Sequence, residues 1–186
     1  MTPWSSDWRA RSLFTFLKSD NAQTSAELID GKAVYLRPPL PADWQAWAEV
    51  RASSRAFLKP WEPTWSTSAL TRTAYRQRLR IQARERRDNS GYRFFIFRST
   101  DDALVGGVNL SNIQSGVAMS CGIGYWIGKD YARQDLMRDA VSTLLPFVFD
   151  TIGLHRLEAA CLPSNMASEG LLRQLEIGRA SCRERV

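Results

Sequence analysis

The residues best placed to bind a polyanion lie in the turn between an apolar strand and an amphipathic helix. The strand covers Ile123 to Ile127, and the helix runs from about Leu136 to Phe149. The first turn of a helix leaves several backbone N–H groups without intrahelical acceptors, and the helix dipole makes this end positive. Such a helix start favours phosphate. The sequence therefore predicts a phosphate site at the start of this helix.

Three motifs around this turn carry a family resemblance. They are Gly124-Tyr-Trp-Ile-Gly128, Tyr131-Ala-Arg-Gln-Asp-Leu-Met137 and His155-Arg-Leu-Glu-Ala-Ala-Cys-Leu-Pro-Ser-Asn165. Together they resemble the cofactor half of the GNAT acetyltransferases, most closely the Rim-type branch, whose known members acetylate N-terminal amines of ribosomal proteins. The resemblance covers roughly Lys32 to Leu175. It implies that acetyl-CoA is the acetyl donor, that no metal is needed, and that the acceptor is a protein N-terminus or, as the alternative, a small-molecule amine.

The same resemblance implies a set of cofactor contacts. The strand ending at Ile127 and the strand around Ala159 would splay apart, with the pantetheine arm in the gap and the Ile127 backbone bonding the acetyl or pantetheine region. Asn165 would contact the pantetheine or cap the next helix, and both readings stay open. Arg133 can add charge for phosphate or stand solvated on the turn. The amides expected to hold the pyrophosphate belong to Arg133, Gln134, Asp135, Leu136 and Met137.

Catalytic and acceptor-binding residues follow from the resemblance in the same way. Ser168 occupies the position from which related enzymes protonate the leaving thiolate, although a small packing residue would suit this position as well. Glu158 is a candidate base, and Trp61 and Glu62, in a loop bounded by prolines, are candidates for binding the acceptor. A structural ion pair is the alternative for each carboxylate, and hydrophobic packing is the alternative for the tryptophan.

Asp135 departs from the family pattern. The family places Gly at this position, where the backbone approaches the pyrophosphate and often adopts a conformation that is costly for other residues. A carboxylate there would repel a polyanion. The alternatives are a helix-capping role or an error in the sequence, since one base separates Gly codons from Asp codons.

Composition agrees with an ordinary globular domain. The chain has 186 residues, a net charge of +6, 44% hydrophobic and 24% charged residues, and three cysteines. The sequence shows no apolar run of the length that a membrane span needs and no Cys-rich metal pattern. These features predict a cytoplasmic protein without membrane contact.

The order of the predicted elements indicates one mixed α/β domain of the GNAT type, with a central splayed mixed sheet flanked by helices. Ser68 is the expected cap of the long second helix. Predicted strands span residues 33–37, 92–98, 103–112, 118–127 and 157–161, and predicted helices span residues 42–51, 68–88, 136–149 and 165–175.

Both ends of the chain are expected to lie outside this domain. Residues 1–31 read as an N-terminal extension and residues 32–175 as the acetyltransferase domain. Residues 176–186 read as the translation of a common short-read sequencing adapter, and the alternative is an arginine-rich native tail. We therefore expect the last strand or strands of the fold to be missing, with an uncovered sheet edge and impaired activity as the result.

A basic helix gives a second function class. The segment from Leu70 to Asp88 is rich in arginine, which can contact phosphate or form a solvated surface. Weak contact with RNA or a ribosome is therefore a second expectation. In its extreme form, the chain would be a non-catalytic module that binds such a partner through the same fold.

Overall fold

The computed structural model describes residues 28–177, which form a single six-stranded sheet with helices on both faces. The expectations for residues 1–27 and 178–186 lie outside the described residues. The strands pair in chain order, antiparallel except for the last pair, which is parallel. They are β1 (Ile29–Asp30), β2 (Val34–Arg37), β3 (Tyr92–Arg98), β4 (Leu104–Gln114), β5 (Ser120–Ile127) and β6 (Arg156–Ala159). The mixed α/β fold class predicted from the sequence is therefore confirmed. The sheet begins at Ile29, slightly before the expected boundary at residue 32.

In the described part of the chain, five α-helices connect or flank these strands. They are α1 (Trp44–Ser53), α2 (Arg55–Leu58), α3 (Arg72–Arg87), α4 (Leu136–Pro146) and α5 (Met166–Gln174). Short 3-10 turns cover Pro41–Asp43 and Lys129–Tyr131, and a π-type turn covers Phe147–Thr151. Within residues 28–177, no helix has the length and apolar character that a membrane span requires.

One face of the sheet packs against α4 and forms the main core. Alternate residues of the strands point to this face, as the two-residue period of a strand requires. The helix contributes the apolar side of an amphipathic surface. The fully buried residues of this core include Val34, Leu36, Ile96, Leu110, Ala140, Val141 and Leu144.

A contact between α4 and the far edge of the sheet fixes the helix across the strands. The carboxylate of Asp139 accepts hydrogen bonds from the backbone N–H groups of Ala33, at 2.7 Å, and Val34, at 3.2 Å. The edge hairpin and the helix are thereby joined by a bond between residues more than one hundred positions apart.

The opposite face of the sheet carries α1 and α3 over an aromatic cluster. Trp47, Tyr75, Phe95 and Phe97 are buried there. The Tyr75 hydroxyl donates a hydrogen bond to the carbonyl oxygen of Leu40, at 2.8 Å. Trp44 and Val50 of α1 pack on the same cluster.

Two predicted helix ends were wrong. The cap of α3 is Thr71, whose side chain accepts a hydrogen bond from the Ala74 N–H at 3.3 Å, whereas Ser68 lies in the preceding turn and its backbone bonds Thr71. Both residues carry the hydroxyl that a cap needs. The α4 helix ends at Pro146 rather than at residue 149, since the chain continues as a π-type turn.

Candidate active site

The last two strands separate and leave a cleft beside β5. Pairing between β5 and β6 runs from Ser120 opposite Arg156 to Ile123 opposite Ala159 and then stops. The remaining residues of β5, Gly124–Ile127, pair only with β4 among the described residues. Backbone groups on the other edge of this segment, including those of Ile127, are therefore available to a ligand.

The turn after β5 is held in place by α1. The Lys129 N–H donates to the hydroxyl of the buried Ser54, at 2.9 Å. Gly128 packs so closely against Val50 that a Cβ atom there would lie 2.8 Å from a Val50 methyl group. The absence of a side chain at Gly128 lets α1 support the turn directly.

The start of α4 presents a row of backbone donors. The first backbone hydrogen bond of the helix runs from the Asp139 N–H to the Asp135 carbonyl oxygen, at 3.0 Å. In the described part of the chain, the N–H groups of residues 133–138 donate to no protein acceptor. Leu136 and Met137 bury their side chains in the core. Their amides, and not their side chains, are therefore the groups available for an anion.

Two residues of this turn adopt left-handed backbone conformations. The φ angle is 61° at Arg133 and 57° at Asp135. This conformation is costly for most residues other than Gly, although Asp tolerates it better than most. The conformational reason for expecting Gly at position 135 is thus present in the structure.

The Asp135 carboxylate faces solvent and does not cap the helix. It makes no capping hydrogen bond, it is 72% exposed, and it pairs with Arg138 at 3.2 Å. Gln134 donates to the carbonyl oxygen of Asp130, at 2.8 Å, which closes the turn. The capping interpretation of Asp135 is therefore wrong, because its side chain turns toward Arg138.

The start of α5 brings Ser168 to β5. The Asn165 side chain accepts a hydrogen bond from the Ser168 N–H at 3.1 Å, so Asn165 caps the helix. The Ser168 hydroxyl lies 2.7 Å from the Tyr125 hydroxyl. Burial raises the pKa of Tyr125, although its hydrogen bond with Ser168 acts in the opposite direction. Tyr125 therefore stays protonated at neutral pH.

A cavity of about 620 Å³ opens on the face of the sheet that carries α1 and α3. Its floor is formed by β3, by β4 and by the segment of β5 that does not pair with β6. Gly107 has no side chain to displace Trp126, whose indole nitrogen would lie 2.6 Å from a Cβ atom there. The walls include Trp47, Glu62, Trp65, Arg78, Arg93 and Asn109.

One wall of this cavity is a buried ion pair enclosed by tryptophan rings. The Arg51 guanidinium donates to both carboxylate oxygens of Glu62, at 2.8 and 2.6 Å. Its central carbon lies 4.2 Å from the centre of the Trp65 ring and 4.7 Å from that of Trp126. Trp65 also donates to Glu62, at 2.9 Å. Paired and hydrogen-bonded in this way, a buried charge is tolerated.

The remaining predicted residues lie outside the cavity. Trp61 is 38% exposed and does not belong to the lining. Glu158 lies opposite Gly122 and forms an ion pair with Arg156 at 2.7 Å. Its neighbours Leu157 and Ala159 pack into the α4 core, so Glu158 points to the cavity-bearing face of the sheet.

The structure thus brings some predicted residues together and separates others. Ile127, the α4 amides, Asn165 and Ser168 border the cleft, and Glu62 borders the cavity. Sequence reasoning missed Arg51 and Tyr125. The helical period from Trp47 to Arg51 was a signal for the first, and the alternation of β5 was a signal for the second.

Comparison with known proteins agrees with this geometry. Residues 33–177 match the family described as Acetyltransferase (GNAT) domain. The ribosomal protein uS5-alanine N-acetyltransferase of Escherichia coli is 31% identical over 135 residues, which cover 72% of this chain and 70% of that protein.

Solved structures agree as well. The ribosomal-protein-S5-alanine acetyltransferase from Vibrio fischeri has a TM-score of 0.74 and 26% identity, over 80% of this chain and 81% of that chain. Mycobacterium smegmatis RimJ in complex with CoA-disulfide has a TM-score of 0.73 and 27% identity, over 81% of this chain and 72% of that chain. The enzyme class and the acetyl donor expected from the resemblance are therefore confirmed. This chain belongs to the GNAT acetyltransferase family and uses acetyl-CoA as its acetyl donor.

Proposed function

We propose that this enzyme acetylates the N-terminal amine of a protein. The observation that carries the proposal is the cavity on the α1 and α3 face, which is about 620 Å³ in volume and open to solvent. That volume is in the range of ordinary ligand sites. Trp126 lies on the segment of β5 that does not pair with β6, and it forms part of the cavity floor. Tyr125 on the same segment faces α5. A peptide amine in the cavity would therefore reach the strand that borders the cofactor cleft.

The turn before α4 supports binding of acetyl-CoA through its phosphates. The N–H groups of residues 133–138 have no acceptor within residues 28–177, and the dipole of α4 adds positive potential. Arg133 is exposed beside these amides and supplies a charge that suits phosphate. The edge of β5 through Ile127 would bond the pantetheine arm. A direct contact of Asn165 with the pantetheine stays a prediction, because its side chain caps α5.

The residues around the cleft suit direct transfer of the acetyl group. A neutral amine attacks the thioester carbonyl, a C–N bond forms, the C–S bond breaks, and the thiolate takes a proton. Ser168 would donate that proton, with Tyr125 replacing it through their 2.7 Å hydrogen bond. The nitrogen becomes positively charged when the C–N bond forms and must then lose a proton, and Glu158 is the proposed acceptor of that proton, directly or through water.

The assay for this function measures acetyl transfer to peptides. Short peptides with a free amino terminus, the same peptides with a blocked terminus, and a polyamine would each be incubated with acetyl-CoA. We expect mass spectrometry to show one acetyl group on the free terminus only. Acetylation of the polyamine alone, with no peptide product, would refute the peptide acceptor and leave the small-amine alternative.

The predicted contact between α3 and RNA rests on weaker support. Several arginines of α3 are occupied within the protein: Arg72 lies over Trp44, and Arg84 pairs with Asp88. Contact with RNA therefore stays a prediction from the sequence. A cytoplasmic location likewise stays a prediction from the sequence. Retention of labelled ribosomal RNA by the protein at physiological salt is the measurement that would support the contact.

A further inference from the structure

The charges that line the acceptor cavity do not cancel. Its charged walls are Arg51, Glu62, Arg78 and Arg93. Arg51 is neutralised by Glu62, and Arg93 is neutralised by Glu85, with contacts at 3.0 and 3.3 Å. Arg78 has no carboxylate oxygen within 4 Å among the described residues. One positive charge in the cavity is therefore left without a partner.

Arg78 is held in place by an aromatic ring and not by an acid. The central carbon of its guanidinium lies 5.5 Å from the centre of the Trp47 ring. Partial desolvation, followed by the positive charges of Arg51 and Arg93, lowers the pKa of Arg78. The group nevertheless stays charged at neutral pH, because an arginine side chain starts from a very high value. The single uncompensated cation makes an incoming anion favourable here.

We propose that the acceptor peptide carries an acidic side chain close to its amino terminus and that Arg78 binds this carboxylate. The inference rests on the proposed function, since it assigns a chemical class to the peptide that the cavity receives. A planar guanidinium offers parallel N–H donors that match the two oxygens of a carboxylate. The amine would point to the floor at Trp126, while the acidic side chain would extend to α3.

The charge of α3 supports the same choice. Beyond Arg78, the helix carries further exposed arginines, among them Arg76 and Arg80. A surface of one sign raises the local concentration of ligands of the opposite sign and speeds their association. An acidic segment is therefore attracted to α3 before its terminus enters the cavity.

The test compares matched peptides on matched variants. Peptides identical except for Glu, Gln or Lys at the second, third or fourth position would be acetylated by the wild-type chain, by Arg78→Gln and by Arg76→Gln. Arg76 is exposed on the same helix and does not line the cavity, so its substitution makes the same change in net charge. The affinity of each protein for coenzyme A, measured by calorimetry, shows whether Arg78 serves the acetyl donor instead.

We expect wild-type kcat/KM to favour Glu over Gln at one of the three positions by about five- to tenfold, with Lys disfavoured further. Arg78→Gln should reduce this preference to within about twofold, whereas Arg76→Gln should retain it. Equal rates for all peptides would overturn the inference and leave the proposed function intact. The inference would also be overturned if both variants lost the preference for Glu equally, or if Arg78→Gln alone bound coenzyme A more weakly. Failure to acetylate any peptide would refute the proposed function itself.

Discussion

Replacement of Asp135 tests the electrostatics of the cofactor turn. The residue has a left-handed backbone, and its carboxylate stands at the positive end of α4, 72% exposed and 3.2 Å from Arg138. Two unit charges 4 Å apart in water interact by about 1 kcal/mol. A pyrophosphate carries more than one charge, and Arg138 offsets part of the repulsion. The net penalty is therefore on the order of 1 kcal/mol, or about fivefold in affinity.

Two substitutions separate the charge from the backbone effect. Asp135→Asn removes the charge while keeping the side-chain size and a residue type that tolerates the left-handed conformation. We expect it to bind coenzyme A about fivefold more tightly at low salt. Asp135→Gly should bind at least as tightly and should also raise the free energy of unfolding by about 0.5 to 1 kcal/mol, because Gly adopts this conformation without strain.

Calorimetric titration with coenzyme A at two salt concentrations is the assay. The gain should shrink as salt increases, because exposed charges are screened. Asp150→Asn, an exposed acid beyond the opposite end of α4, is the matched control and should leave the affinity unchanged. If neither variant at position 135 binds more than about twofold tighter at low salt, the repulsion argument is refuted.

Other predictions concern proton transfer, pH and packing. In steady-state assays, Ser168→Ala should lower kcat by about tenfold to a hundredfold, and Tyr125→Phe should lower it by up to about tenfold. The control Tyr35→Phe loses a hydrogen bond from its hydroxyl to Asp102 and should leave kcat unchanged. Burial, with a smaller effect from Glu158, raises the pKa of Cys121 from 9.0 to about 11. As the pH rises, the thiol therefore loses its proton in the unfolded chain before it does so in the folded protein. The free energy of unfolding, measured by denaturant titration, should fall between pH 9 and 11, and it should fall less in Cys121→Ala. In the same titrations, Leu144→Ala should lower the free energy of unfolding by about 2 to 5 kcal/mol. Leu162 is 53% exposed, so Leu162→Ala should lower it by less than about 0.5 kcal/mol.

Local patterns predicted most of the elements, since their signals lie within a few residues. The continuous apolar run of β3 and the apolar stripe of α4 can both be recognised within such short segments. Choosing between Ser68 and Thr71 was beyond such patterns, because both side chains can cap a helix. The resemblance supplied the position of Ser168, but its Tyr125 partner lies 43 residues away. Such a pair is fixed by how α5 packs beside β5.

The cavity shows the same limit more strongly. Glu62 was expected to meet an acceptor amine, yet the structure gives it a bidentate partner in Arg51. That pair depends on the loop folding back over α1, which no local period encodes. In the sequence, Arg78 is one arginine among many. What sets it apart is that it lines the same cavity as Arg51 and Arg93 but has no acidic partner among the described residues. Charge balance in a site can be counted only after its walls are known.

The strand order has a consequence for synthesis on the ribosome. The sheet from β1 to β5 is laid down in the order in which the chain is made, so each strand can pair with its predecessor as it emerges. Its apolar face, however, is covered by α4, and the bond from Asp139 to Ala33 and Val34 cannot form before that helix exists. Until residue 146 has left the ribosome, the nascent chain therefore presents an uncovered hydrophobic surface. Chaperones bind surfaces of this kind.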